Sequence, residues 1–108
     1  DRSLDVAIKS GASTAATGTF ANSTPVTLTF SSAVTVMMLH NNSGTQIYFK
    51  INEALDGADP PIDYDGVLQD NERFDLLNEE ISVSTVSIWG TALGTASAPQ
   101  NVIGCVGW

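Results

Sequence analysis

The residues best suited to acid–base chemistry in this 108-residue chain are its carboxylates, and most of them fall in one stretch. Ten of the twelve acidic residues lie within residues 53–80. Pairs such as Asp63/Asp65 and Glu79/Glu80 have the residue types that divide acid and base roles in glycosidases. That reaction requires two carboxylates fixed roughly 5 to 10 Å apart across a sugar-sized cleft. A small domain with its acids on a loop and at strand ends has little room for such a cleft, so we interpret them as solvated surface.

Nucleophilic catalysis has few candidate residues. His40 is the only histidine, and Ser43 lies close to it in sequence, but no G-x-S-x-G context surrounds the serine. Cys105 is the only cysteine, which excludes an intrachain disulfide. Its apolar neighbours, Ile103 and Val106, indicate a buried thiol rather than a reactive one. We therefore predict a non-enzymatic protein, with no catalytic residue and no cofactor-binding site.

A partial calcium-loop pattern occurs in the acidic stretch. Residues 61–66 and Glu72 overlay the later positions of D-x-[DN]-x-[DN]-G-x5-E. Four residues match the pattern: Asp63, Asp65, Gly66 and Glu72. Pro61 occupies the first position, where an acidic ligand is required, and no flanking helices are predicted. We assign no metal site, and weak Ca²⁺ binding in another geometry, with Asp56 or Asp59, stays an alternative.

Aromatic residues offer a possible sugar-binding surface. Tyr48 is on the polar face of a predicted strand, Tyr64 is in the acidic stretch, and Trp89 and Trp108 end predicted strands. Exposed rings of this kind stack on sugars, but each is also typical of an aromatic side chain half-packed over a core.

Composition limits the partners. The net charge of −8 argues against nucleic acid and against an anionic membrane surface, because both are bound through Lys and Arg. No apolar run approaches the roughly 20 residues of a spanning helix. The length predicts a single domain over residues 1–108.

Period-two alternation of apolar and polar residues predicts about eight strands and an all-β fold. The segments are residues 4–8, 26–30, 34–39, 47–51, 67–68, 73–77, 81–89 and 102–108. Their number and length predict a two-sheet jelly-roll or Greek-key sandwich, with an immunoglobulin-like sandwich as the alternative.

Three of these segments carry more detailed predictions. Residues 34–39 are apolar on both faces, which indicates a central strand. In residues 81–89 the alternation changes phase after Ile81 and Val83, which predicts a β-bulge near Ser84 or Thr85. Residues 41–44, Asn-Asn-Ser-Gly, are typical of a hairpin loop between strands.

The connections are also distinctive. Residues 11–24 are small and nearly uncharged, which predicts a flexible loop or extended arm with Phe20 as its only anchor. Residues 90–100 form a second stretch of this kind. Residues 53–66 form an acidic loop, and its two prolines exclude regular structure.

Three sequence phrases follow one another in residues 41–90. Residues 41–52 read NNSGTQIYFKIN, residues 70–76 read DNERFDL and residues 81–89 read ISVSTVSIW. This series resembles small bacteriophage virion proteins, in which a similar strand-turn-strand phrase precedes an acidic loop, a G-x-x-F-x-L strand and a Ser/Val-rich strand ending in Trp. Asn71 stands where such turns commonly have Gly.

The resemblance implies a virion structural protein, and a capsid decoration or cement protein best fits a chain poor in catalytic residues. The implied partners are other virion structural proteins, namely the major capsid protein or neck and tail subunits, and the implied state is a homo-oligomer located in the virion. We expect contact through the 11–24 arm and one end of the sandwich, with the acidic loop facing outward. The alternative is a carbohydrate- or receptor-binding module of a tail fibre or adhesin, with or without stabilisation by calcium.

Overall fold

Alternating side chains determine the strands of this protein. The structure, a computed structural model, describes residues 13–77, 80–99 and 101–108, which form ten strands and no helix. No helix among the described residues is therefore long and apolar enough to cross a bilayer. In chain order the strands are Thr14–Ala15 (β1), Gly18–Thr19 (β2), Val26–Val34 (β3), Met37–Asn41 (β4), Ile47–Ile51 (β5), Gly66–Leu68 (β6), Arg73–Leu76 (β7), Val83–Gly90 (β8), Ser97–Ala98 (β9) and Ile103–Gly107 (β10).

The strands form two four-stranded antiparallel sheets and one small pair. The first sheet has the order β1-β10-β4-β7, the second sheet has the order β3-β8-β5-β6, and β2 pairs with β9. Both sheets contribute to one cluster of buried apolar side chains. This all-β arrangement is compatible with the predicted β-sandwich.

The predicted alternation is confirmed in several strands. In β3, Val26, Leu28 and Phe30 are buried and the residues between them are exposed. In β5, Ile47 and Phe49 are buried and pair with Gly90 and Ile88 of β8. In the part of β10 from Ile103 to Gly107, every second residue is buried, and β6 and β7 form where strands were predicted.

The predicted strand over residues 34–39 is wrong in its extent. β3 ends at Val34, the chain turns at Thr35 and Val36, and β4 starts at Met37. Because the turn resets the alternation, Met37 and Leu39 face the core and Met38 lies half-buried on the outer face. The expectation of a central strand is confirmed, since β4 lies between β10 and β7.

The hairpin predicted at residues 41–44 is also wrong. β4 belongs to the first sheet and β5 to the second, so this turn carries the chain from one sheet to the other. Its first residue, Asn41, is completely buried, and Gly44 adopts a φ of 88°. The residues do form a turn, as their composition predicts, but turn propensity does not determine which strands pair.

The β-bulge predicted near Ser84 or Thr85 is wrong in its place, because the register irregularity between β3 and β8 lies on β3. Thr29 pairs with Thr85 whereas Val34 pairs with Val83, so the additional residues lie on β3 and not on β8. The irregularity lets both Val83 and Val86 face the core. Ile81, which the alternation placed inside, is 44% exposed.

Residues 13–24 have more contacts with the domain than one anchor would give. Phe20 is buried as expected, but Ala16 is buried as well. β1 pairs with β10, β2 pairs with β9, and the main chain of Thr17 exchanges hydrogen bonds with that of Thr29. The strand predicted over residues 4–8 and the start of the predicted arm lie outside the described residues.

Candidate functional site: the acidic loop and the aromatic cluster

The outer face of the second sheet carries unusual side chains for a solvent-facing surface. On β5, Tyr48 and Lys50 project opposite to the core residues, and they pair with Trp89 and Ser87 of β8. Ser87 is 1% exposed and Trp89 is 4% exposed. Because these residues are on the face away from the core, another part of the chain must cover them.

The covering element is the acidic loop, residues 53–66. Leu55 and Pro61 are its two buried residues, and Leu55 is not part of the main core cluster. The Leu55 main-chain N–H donates to Ser87 Oγ across 3.0 Å. This hydrogen bond satisfies a buried hydroxyl and holds the start of the loop against the sheet.

Lys50 holds the loop through two carboxylates. Its Nζ lies 2.7 Å from Asp63 Oδ2 and 3.1 Å from Glu53 Oε1, so it links both ends of the loop. The hydrogen bonds to Asp63 and Glu53 raise the pKa of Lys50 to about 12. The ammonium group stays protonated at neutral pH, and its charge is balanced by the loop.

Asp56 organises the interior of the loop. Its Oδ1 accepts from Ala58 N–H at 2.9 Å, and its Oδ2 accepts from the N–H groups of Ile62 at 2.9 Å and Asp63 at 2.8 Å. These donors, that of Asp63 first, lower the pKa of the Asp56 carboxyl. Asp65 Oδ2 accepts in a similar way from Ile51 N–H at 2.8 Å. These carboxylates therefore stabilise the folded loop itself.

Three aromatic residues proposed from the sequence come together at this site, and we call them the aromatic cluster: Tyr48, Tyr64 and Trp89. The Tyr48 ring lies 5.0 Å from that of Tyr64 and 5.6 Å from that of Trp89, both edge-to-face. Trp89 is buried and Tyr64 is 41% exposed. The cluster thus packs the loop onto the sheet and offers mainly the Tyr64 ring to solvent, not a flat platform of several rings.

The carboxylates of the calcium-loop pattern are separated by their contacts. Asp63 binds Lys50, Asp65 binds the main chain of β5, and Glu72 Oε1 accepts from Gln69 N–H at 2.7 Å. Within the described ranges, no three His, Cys, Asp or Glu side chains are grouped in a way that could hold a metal ion.

The other catalytic candidates are also apart. His40 lies on the outer face of the first sheet, opposite Gly104 and Arg73. The hydroxyl of Ser43 lies within the 41–45 turn, 2.7 Å from Asn41 Oδ1 and 3.0 Å from the carbonyl of Thr45. Cys105 is 5% exposed, and burial raises its pKa to about 12. Glu79, of the Glu79/Glu80 pair, lies outside the described residues.

Sequence reasoning did not identify Lys50 and Ser87 as the residues that position the loop. The available signal was the placement of Lys50, the only basic residue between Lys9 and Arg73, directly before the acidic stretch. Ser87 gave no signal, because its burial depends on a segment distant in sequence.

Comparisons of the chain with models of known protein families, with curated proteins and with solved structures found no match.

Proposed function

We propose that this protein is a non-enzymatic structural component of a bacteriophage virion, most specifically a capsid decoration protein. The observation that carries the proposal is the way the strands pair. Apart from the short β2–β9 pair, the described strands pair from the ends of the chain inward: β1 with β10, β3 with β8, β4 with β7, and β5 with β6.

These pairings are those of one long hairpin wound around a core. The pairs β10–β4 and β8–β5 are the additional contacts that winding creates, and they complete the two sheets. We interpret the arrangement as a jelly roll, a fold that occurs in viral capsid domains and in lectins. The resemblance of residues 41–90 to small phage virion proteins supports the first of these two classes.

One end of the domain has the exposed apolar side chains that a contact surface requires. Leu77 is 49% exposed and Ile81 is 44% exposed, and we call these two residues the apolar end. Thr14, near the start of the described part of the predicted arm, is at the same end. It pairs with Gly107, and Gly107 pairs with Met37, the partner of Leu76. The proposed contact with neighbouring subunits buries this end.

The proposed orientation follows from charge. The acidic loop holds much of the net charge of −8, and Ile62 at its surface is 81% exposed. In the proposed arrangement this loop faces outward, where charge keeps the free subunit soluble.

Light scattering of the purified chain, alone and after mixing with purified phage heads, tests the proposal. We expect a homo-oligomer or a complex with the heads, and we expect Leu77→Asp and Ile81→Asp each to weaken it. Ile62→Asp, which changes a more exposed apolar residue on the outward loop, is the matched control and leaves assembly unchanged. A chain that stays monomeric and does not bind heads contradicts the proposal.

The convergence of the aromatic cluster favours a second candidate, a carbohydrate- or receptor-binding module. Its residues are Tyr48, Tyr64 and Trp89, with Tyr64 as the exposed ring. Binding on a glycan array that is lost with Tyr64→Ala supports this candidate. If calcium stabilises this module, the melting temperature of the wild type rises with millimolar Ca²⁺ and that of Asp63→Ala does not.

A further inference from the structure

The outer face of the first sheet, the sheet that the acidic loop does not cover, has an open groove of about 570 Å³. Its lining residues come from β4, β7 and β10 and from the turn before β7. They are Met38, His40, Asn71, Arg73, Asp75, Gly104 and Val106. The volume lies within the range of about 300–1,000 Å³ that is typical of small-molecule sites.

The strand register explains why this face is concave. His40 pairs with Gly104 on one side and with Arg73 on the other. Because Gly104 has no side chain, the position next to the imidazole is empty. A Cβ placed on Gly104 would lie 3.7 Å from His40 Cβ, an ordinary contact distance, so no side chain of the described residues already fills this space.

The polar side chains of the groove have unused hydrogen-bonding capacity. Asp75 Oδ1 is shielded from solvent and ion-paired with Arg73 Nε at 2.9 Å, but the Asp75 side chain as a whole is 28% exposed, so part of it can be reached from the groove. In the part of the chain that the structure describes, His40 and Asn71 make no side-chain hydrogen bond. Asp56 and Asp65 differ, because their carboxylates are occupied by main-chain donors.

The groove is also locally neutral. Arg73 and Asp75 balance each other, and the net charge of −8 disfavours an anionic ligand. Met38 and Val106, half-buried and paired with each other, supply an apolar strip beside the polar groups. Because the paired charges of Arg73 and Asp75 leave no net charge for a ligand to complement, the groove suits an uncharged ligand that has donors and acceptors and is apolar on one side.

We propose that this groove binds a neutral saccharide of one or two rings. Hydroxyl groups of the sugar donate to Asp75 and accept from Arg73, and its C–H face packs on Met38 and Val106. A peptide strand added by main-chain pairing would extend the sheet at its edge strand β7 and would not lie over β4 and β10, which each have a neighbour on both sides. This site is separate from the aromatic cluster and does not depend on a role in the virion.

Titration of the isotope-labelled protein with glucose, galactose, mannose and N-acetylglucosamine, followed by amide chemical shifts, tests the proposal. At tens of millimolar, we expect at least one sugar to shift the amides of β4, β7 and β10 around the groove. Gly104→Val fills the empty position, and Asp75→Ala removes the acceptor. Each is expected to weaken binding by at least about tenfold, the effect of one charge-assisted hydrogen bond or of a blocked site.

Ile62→Ala is the matched control, because it removes an exposed side chain from the loop that covers the other sheet, and it leaves the affinity unchanged. Unperturbed amide spectra outside the groove show that Gly104→Val and Asp75→Ala are folded. Three results overturn the proposal: no shift with any of the four sugars, binding that survives both groove variants, or binding that is lost with Ile62→Ala. Groove shifts that appear only on raising the protein concentration also overturn it, since they assign the groove to contact between copies.

Discussion

Asn41 Nδ2 donates to the main-chain carbonyl of Leu68 across 3.0 Å and so joins the end of a strand in the first sheet to the end of a strand in the second. The same amide group lies 2.7 Å from the carbonyl of Thr45 and 3.0 Å from that of Gln69. Asn41 Oδ1 accepts from Ser43 N–H at 3.0 Å. One buried side chain therefore fixes the turn between the sheets and connects it to β6.

Replacing Asn41 with Ala should destabilise the fold substantially. The change leaves buried carbonyl groups without donors, and each such loss costs about 1–3 kcal/mol. We expect the free energy of unfolding in urea to fall by at least about 2 kcal/mol. Asn42→Ala is the control, because Asn42 is exposed and its side chain donates only to Asn101, and its effect should stay below about 1 kcal/mol. Equal effects of the two changes would contradict this role of Asn41.

Two glycines of β10 should differ in how well they tolerate a methyl group. At Gly107 a Cβ would lie 2.6 Å from Val34 Cγ2 and 2.8 Å from the carbonyl oxygen of Val36, and the main chain cannot move away easily. We expect Gly107→Ala to lower the free energy of unfolding by about 1–3 kcal/mol. Gly104→Ala meets only a normal contact and should change it by less than about 0.5 kcal/mol. Thermal or urea unfolding of both variants checks the difference.

The acidic loop should lose stability in acid through Asp56. Its pKa is lowered in the folded protein relative to the ordinary value of 3.8, so the carboxylate stabilises the fold above that value. The contribution is lost as the pH falls through the lower folded-state pKa. The wild type should therefore be more stable than Asp56→Asn at neutral pH, and the difference should shrink below pH 3.8. Asp59→Asn, at an exposed position of the same loop, is the control and should leave the stability at neutral pH unchanged.

Cys105 should be unreactive in the native protein. Burial raises its pKa to about 12, so almost no thiolate is present at mildly alkaline pH. We expect a thiol reagent such as dithionitrobenzoate to react only after denaturation. Cys105→Ser should also be less stable than Cys105→Ala, because a hydroxyl buried without a partner costs about 1–3 kcal/mol. Rapid labelling of the folded chain would show that this part of β10 opens.

The strands that could be predicted from the sequence are those whose side chains alternate between a buried and an exposed face. Phe49 and Leu28 are examples, because each residue's own neighbours reveal its orientation. The turn after Asn41 could not be assigned in this way, because its composition suits a hairpin and a crossing between sheets equally well. Burial of the Asn41 amide, which decides between them, depends on Leu68 and Gln69.

The candidate sites were predictable only as a list of residues. Tyr48 and Trp89 were identified as surface aromatics, but their burial depends on a loop that returns over the sheet. The groove was not identified, because His40, Arg73 and Gly104 lie on three strands and meet only through the register. Proximity of that kind is set by tertiary pairing and leaves no local pattern.

The position of β10 has a consequence for synthesis of the protein. β10 lies between β1 and β4 and supplies the neighbour that each of them needs. During synthesis, β1 and β4 each keep an unpaired main-chain edge until β10, which ends at Gly107, has been made. A nascent or truncated chain that stops before Ile103 therefore exposes unpaired N–H and C=O groups on both β1 and β4. Such a chain should aggregate more readily than the complete domain.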